Sequence, residues 1–478
     1  MGHLFGSGWL VFLIAFVKLE AQKTPPASID SRCLGNVLSV DVSLLGGRYL
    51  EVEAVLNDST VITPKIASQC GLRMTTSPLG NTVIFASLQN CFAQNSGDVD
   101  FTTILNLRLI GSHKGDEVYQ VAKTCRYAAW ASREIICNSD YMEASEDSVL
   151  FRGHGVFSAA SFQVSVRRPA SNDYALPQQS VPGSQMGRAT QKPGGEAGLR
   201  VKYLVLFTPE EKIMEVTEAQ NLHMITTTPT RLFLRTSTTS SETFTQDVSG
   251  VTMTVLKTSI IFANRWMDAT AACPTPEGSV FFMRNSIRWL LPRYIDPLIS
   301  GQVQLLEVHV GINGSRLEPA EVAARQYSLT VSEVYVILDI PFGSVGGHFK
   351  SFVRDNQYYT SYQIEPMLEL LWTEDEDAMH KDTRYKVFLP VTTPQQLQPI
   401  YLNDYTVPEK QFFDLMLGYF GPDVFLINIS IPTGVLSMEE CNAKDFNILE
   451  HTFPDSSSKF FTLQVPFADP SVQQKASF

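Results

Sequence analysis

The sequence predicts an all-β protein, a string of β-sandwiches interrupted by a Pro/Gly-rich linker or loop. Three observations carry that prediction. Short segments alternate apolar and polar side chains, Gly- and Asn-containing turn signals separate them, and helix signals are few. The 478 residues, 44% hydrophobic and 18% charged, have ordinary globular composition and suffice for several domains. A formal net charge of −12 argues against a nucleic-acid partner, which requires a concentrated basic face.

Residues 1–21 read as a signal peptide. The apolar run Trp9–Val17 has the length of a signal h-region and is too short to span a bilayer; Ala21 offers a small residue near a cleavage point. No later run reaches the roughly 20 apolar residues of a membrane span. The final stretch, FADPSVQQKASF, shows neither an anchor nor a lipidation signal. The expected location is therefore extracellular, as a secreted chain without a membrane span. Three sequons, at Asn57, Asn313 and Asn428, suit a secreted glycoprotein.

The first unit, 33–136, holds Cys33, Cys70, Cys91 and Cys125. In VLSVDVSL (37–44), Leu38, Val40, Val42 and Leu44 share one face, and in TTILNLRLIG Leu105, Leu107 and Leu109 do the same. Such period-two patterns mark strands with one buried and one wet face. Leu45-Gly46-Gly47 and Leu79-Gly80-Asn81 supply turns. The second unit, 137–275, carries the alternating Phe162, Val164 and Val166, then a Pro-, Gly-, Ser- and Gln-rich insert at 168–198 that is expected to be flexible. Strand patterns resume at 199–207 and 251–262. A third sandwich region, 276–440, contains strand patterns at 302–312 and 333–343 and helix signals at 365–372 and 408–420.

Seven cysteines leave at least one unpaired or bonded to another chain, and four alone permit three pairings. CNSDYMEAS at Cys137 is echoed by CNAKDFNIL at Cys441, each with Cys, Asn, an acid and an aromatic. The echo suggests that each copy opens a module, so that 441–478 would begin a further, truncated unit.

With WMDATAACP (266–274), the DIPFGSVGGHFKS run (339–351) and Tyr358, Tyr359 and Tyr362 behind it, these motifs resemble the zona pellucida N-terminal (ZP-N) domain family, and most the members carrying several such units in tandem. The resemblance covers most of the chain from Cys33. It implies immunoglobulin-like sandwiches with bridges Cys33–Cys125 and Cys70–Cys91. By the same resemblance Cys137 would bridge Cys273, the alternative being a free thiol at either site, and Cys441 would be left unpaired or intermolecular. It also implies a non-enzymatic role in extracellular protein–protein contact, with other ZP-N domains among the partners, in left-right axis determination at the ciliated organiser. The rival expectation is an egg-coat matrix component. The sequence departs from egg-coat polymers in showing no basic protease site, cysteine-rich second half or anchor.

No catalytic, metal or cofactor motif appears among the eight histidines or elsewhere, which weakens a secreted hydrolase as a third possibility. His348 and Ser344 in GSVGGHFKS read as a tight turn rather than a ligand site or nucleophile elbow. Glu374, Asp375, Glu376 and Asp377 could attract calcium, but they lack the spacing of a calcium loop and read as a solvated loop. Trp266 and Trp372 read as core anchors.

Overall fold

In the computed structural model the described residues are 27–147 and 201–472, apart from short breaks at 44–47, 78–79, 112–114, 129–130, 209, 223, 263–265, 300–301, 356, 377–378, 432–433, 454–457 and 471. The signal peptide, Phe162, Val164 and Val166, the insert 168–198 and the Leu45-Gly46-Gly47 turn lie outside them.

Unit 1 shows how local sequence becomes a sandwich. Its elements are β1 (Ser28–Cys33), β2 (Val37–Ser43), β3 (Tyr49–Val55), β4 (Ser59–Val61), α1 (Pro64–Cys70), β5 (Leu72–Thr76), β6 (Thr82–Ser87), β7 (Gln94–Ser96), β8 (Asp100–Ile110) and β9 (Glu117–Arg126). One sheet runs β1-β2-β6-β5; the other runs β4-β3-β8-β7, with β9 also on β8. Along β8 every second residue from Phe101 to Leu109 is buried, as the alternation predicts. Of these, Phe101, Leu105, Leu107 and Leu109 share one core with Leu38, Val40, Val42 and Ile84 from the facing sheet. The single helix is set by Thr63, whose hydroxyl accepts from the Ile66 N–H at 3.3 Å, by Pro64 at its start and by Gly71 at φ 75° at its end.

The same order recurs in unit 2: β10 (Arg133–Cys137), β11 (Tyr141–Asp147), β12 (Val201–Phe207), β13 (Glu211–Glu215), α2 (Val216–Asn221), β14 (Ile225–Thr227), β15 (Arg231–Ser237), β16 (Phe244–Val248), β17 (Val251–Phe262) and β18 (Trp266–Pro274). Its sheets run β10-β11-β15-β14 and β13-β12-β17-β16, with β18 on β17, which is unit 1 strand for strand.

Unit 3 contains β19 (Val280–Phe282), β20 (Ser286–Pro292), β21 (Val303–Ile312), β22 (Ser315–Arg316), α3 (Pro319–Ala324), β23 (Ser328–Val331), β24 (Tyr335–Pro341), β25 (His348–Arg354), β26 (Gln357–Ile364), β27 (Pro366–Glu376) and β28 (Met379–Phe388). It repeats the order except that the β25–β26 hairpin stands where the seventh strand would be. That hairpin makes its own sheet with β29 (Val391–Thr392) and β30 (Gln396–Gln398).

Unit 4 comprises β31 (Tyr401–Asp404), β32 (Phe412–Phe420), β33 (Asn428–Ile431), β34 (Gly434–Ser437), α4 (Met438–Ala443), β35 (Asn447–Thr452) and β36 (Lys459–Pro466). The sheet β31-β32-β36-β35 and the pair β33-β34 reproduce the first six strands of the repeat.

Several expectations need correction. Residues 366–372 and 412–420 form strands, not helices. β27 lies inside an eight-stranded sheet, so MLELLW is apolar without clean alternation, a run that periodicity cannot distinguish from a helix. In 408–420 only Pro408–Lys410 makes a 3-10 turn before β32 begins. The boundary at 136/137 cuts β10, so unit 2 opens at Arg133. The boundary at 440/441 cuts α4. Cys441 does not open a module: it is the fourth residue of a helix, while Cys137 ends a strand, so the CNSDYM/CNAKDF echo has no structural counterpart. The repeat that exists is topological. The fourth residue of successive helices, Ala67, Ala219, Val322 and Cys441, packs inward in each unit.

Candidate interaction surfaces

Units 1, 2 and 3 are joined by two kinds of contact. The first is strand pairing: β10 of unit 2 adds in parallel to the edge strand β28 of unit 3, from Arg133 opposite Thr383 to Cys137 opposite Val387. This makes the eight-stranded sheet β14-β15-β11-β10-β28-β27-β21-β22. The second is a three-way junction. Val37 and Phe85 of unit 1, Ile136 and Tyr141 of unit 2, and Met367 and Phe388 of unit 3 form one buried apolar cluster.

Buried charges surround that cluster. Arg73 of unit 1 forks onto Glu365 between units, at 2.5 and 2.7 Å. Arg235 Nε donates to Glu143 at 2.7 Å, and its Nη2 donates to the Gln89 carbonyl of unit 1 at 2.9 Å. Ser87 of unit 1 donates to Glu143 at 3.0 Å. Asn36 donates to Glu134 at 2.7 Å, as does Tyr127 at 3.1 Å. Tyr385 donates across units to the Ala272 carbonyl at 3.0 Å. Such pairs add little net stability, but removing one partner would leave the other charge buried and uncompensated. The sequence reading missed Arg73, Glu143, Arg235 and Glu365. Their signal was charge embedded in strands that are otherwise apolar.

Burial holds the Glu134 carboxyl above its ordinary value of 4.5, against the Asn36 hydrogen bond and the charges of Lys386, Arg231 and Arg384. A carboxyl raised in the folded state keeps its proton longer there. Its contribution to stability is full below 4.5 and is lost as pH rises through the folded value. Glu134→Gln retains an acceptor for Asn36 and removes the ionisation. Unfolding free energy measured against pH should then fall less steeply in the variant across that window, with the two curves running parallel below it.

Three disulfides staple units 1 and 2, each bridge within one unit. Cys33–Cys125 and Cys137–Cys273 each tie the first strand of a unit to its ninth, and Cys70–Cys91 ties the end of α1 to the turn after β6. Cys441 is buried and unpaired, and burial pushes its thiol above the ordinary value. Asn57 and Asn313 are exposed in equivalent turns, after the third strand of units 1 and 3, and Asn428 is exposed at the start of β33.

Trp372 is fully buried, its indole donating to the Arg293 carbonyl at 2.9 Å, whereas Trp266 is 39% exposed at the start of β18. Ser344 and His348 lie in the β24–β25 turn and at the head of β25; the Ser344 carbonyl accepts from Tyr362 and His348 contacts Gln363. Burial lowers the His348 pKa. Glu374, Asp375 and Glu376 are in β27 rather than a loop, Glu374 is buried, and Asp377 lies outside the described residues. Among the described residues no group of three His, Cys, Asp or Glu could hold a metal, and no helix is long and apolar enough to cross a membrane.

Unit 4 is joined to unit 3 through the β25–β26 hairpin. Ser351 donates from N and Oγ to Asp423 at 2.8 and 2.6 Å, and the Gly421 N–H donates to Tyr358 Oη at 2.8 Å. Among the described residues of unit 4, Leu402, Tyr405, Phe425, Ile427 and Val435 are each more than half exposed, and exposed apolar side chains of this kind are candidates for contact sites.

The immunoglobulin-like domain family matches residues 396–477, which span unit 4. The chain is a tandem of immunoglobulin-like β-sandwiches. The match is to that fold and does not extend to the ZP-N family. No curated protein matches the sequence. Among solved structures, a marsupial T cell receptor aligns over 75% of this chain and 99% of its own at 9% identity, with a TM-score of 0.16. A second marsupial T cell receptor structure gives the same coverage at 10% identity and 0.14. Zebrafish RET cadherin-like domains 1 to 4 cover 72% of this chain and 66% of their own at 6% identity and 0.12. Scores this low carry no argument about arrangement or role.

Proposed function

We propose that this chain is an extracellular, non-enzymatic contact protein in which the joined block of units 1–3 presents unit 4 to another macromolecule. The observation that carries this reading is the apolar surface of unit 4, where Phe425 is 68% and Ile427 76% exposed beside an immunoglobulin-like sheet. A recognition role suits such a surface, since large exposed apolar patches are otherwise a liability. Three disulfides fit an oxidising compartment. The ZP-N resemblance of the cysteine quartet and the DIPFGSVGGHFKS run supports placing the contact in left-right axis determination at the ciliated organiser.

Tagged chain applied to ciliated organiser tissue should be retained extracellularly. Retention should drop at least tenfold in a Phe425→Ser/Ile427→Ser variant whose unfolding midpoint is unchanged. Retention that ignores both substitutions would remove unit 4 from the contact. A transcript confined to oocytes, with the product in an insoluble coat, would replace the organiser role with a matrix role.

A further inference from the structure

The geometry points to the β25–β26 hairpin of unit 3 as part of the unit 4 contact site, with Tyr358 and Ser351 as positioning residues for the 421–427 loop. This deepens the proposed contact function and rests on it, by naming what holds Phe425 and Ile427 outward.

Strand β26 reaches two cores with one face. Tyr362 and Ile364 lie in the core shared by units 2 and 3. Tyr358 on the same strand is 3% exposed and packs with Phe420 and Phe461 of unit 4. Alternate residues share a strand face, so Tyr358, Tyr362 and Ile364 project together, with Tyr358 about 13 Å along the strand from Tyr362. The root of this strut is fixed in unit 3. Tyr362 Oη donates to the Ser344 carbonyl at 2.6 Å, and the Tyr362 N–H donates to the Thr393 hydroxyl at 2.8 Å. β30, in the segment that leads into unit 4, pairs with the same strand and places Gln398 opposite Tyr358.

The far end of the strut grips the loop. The Tyr358 ring stands edge-on to Phe420 at 5.2 Å, and Phe420 meets Phe461 at 5.8 Å. Tyr358 Oη accepts the Gly421 N–H, and Ser351 donates to both carboxylate oxygens of Asp423. The approach is close enough to require glycine at 421, where an added Cβ would lie 2.6 Å from Ser351 Oγ. From this anchorage the loop alternates. Val424 and Leu426 pack against the Tyr358 cluster, whereas Phe425 and Ile427 are 68% and 76% exposed. Lys459, itself 2% exposed and paired with Glu450 at 3.0 Å, holds its ammonium 4.2 Å from the Phe425 ring centroid. A loop already held in place has less conformational freedom to lose on binding. Side chains of unit 3 therefore set the affinity of a surface on unit 4.

The test uses the full chain. Tyr358→Ala should speed hydrogen exchange about tenfold at two amides: Val424, bonded to the Gly421 carbonyl at 3.1 Å, and Ser351, bonded to Asp423. Ladder amides along β32 and β36 should keep their protection. The concentration giving half-maximal retention on organiser tissue should rise about tenfold. Tyr358→Phe keeps the ring and should stay within about threefold of the parent chain. Gly421→Ala attacks the anchorage from the unit 4 side and should reproduce Tyr358→Ala with the hairpin sequence unaltered. Adding Tyr358→Ala to Phe425→Ser/Ile427→Ser should cause no further loss of retention, since these groups act as one. A merely structural Tyr358 would give added loss there and faster exchange throughout β32 and β36. Either result overturns the inference, as does unchanged exchange at Val424. If Phe425→Ser/Ile427→Ser keeps full retention, the contact reading falls, and exchange at Val424 in Tyr358→Ala and Gly421→Ala still decides the positioning.

Discussion

Arg235→Ala should lower the unfolding free energy by about 3–5 kcal/mol, the range for stripping one partner from a buried ion pair. Arg235 and Glu143 are each 3% exposed. Without the guanidinium, Glu143 keeps only the Ser87 hydroxyl among the hydrogen bonds described above, and the Gln89 carbonyl of unit 1 loses its donor. The site cannot adjust from the other side. Gly71 packs beneath the guanidinium at φ +75°, where an added Cβ would lie 2.6 Å from Arg235 Cζ, so Gly71→Ala should also be destabilising. The Arg235→Met/Glu143→Leu double variant should cost less than Arg235→Ala alone, because it leaves no bare charge inside. Urea unfolding of the three chains measures this. A double variant no better than the single one would mean that the pair matters through packing rather than charge.

The two kinds of junction explain what could be read from the sequence and what could not. Alternation in Leu38, Val40 and Val42 and in Leu105, Leu107 and Leu109 exposes the strands of unit 1 because each has one wet face. The same rule fails for MLELLW, since β27 is flanked by strands on both sides and covered on both faces, leaving no polar position to mark the period. It fails again for Glu143 and Arg235, whose meaning depends on a partner 92 residues away. The CNSDYM and CNAKDF pair shows the opposite error, in which letters agree while backbones differ. The recurring short helix before each fifth strand was the better marker of the repeat. Its sign is slight, one small or apolar residue at the fourth helical position. Unit 4 was cut at 440/441 because the letters of CNAKDFNIL, which lie in and just after α4, suggested an opening there.

Removing Cys137–Cys273 by paired alanine substitution should cost about 5 kcal/mol, as should removing Cys33–Cys125, while losing Cys70–Cys91 should cost about 3 kcal/mol, if loop closure in the unfolded chain dominates. The order follows from sequence separations of 136, 92 and 21 residues. Geometry adds a second difference. Cys70–Cys91 is local to one end of unit 1, whereas Cys137 lies on β10, the strand that pairs with β28. Freeing it should therefore loosen unit 3 as well, and hydrogen exchange at Thr383–Val387 should accelerate in the Cys137→Ala/Cys273→Ala chain but not in the Cys70→Ala/Cys91→Ala chain. Both sulfurs are buried and alanine leaves only a small gap, so cavity effects stay minor beside the lost cross-link. Equal costs for all three bridges would show that native packing, not chain entropy, sets their worth. Unchanged exchange along β28 would show that the shared sheet holds without the strap, and the three units would then behave as separately stabilised modules.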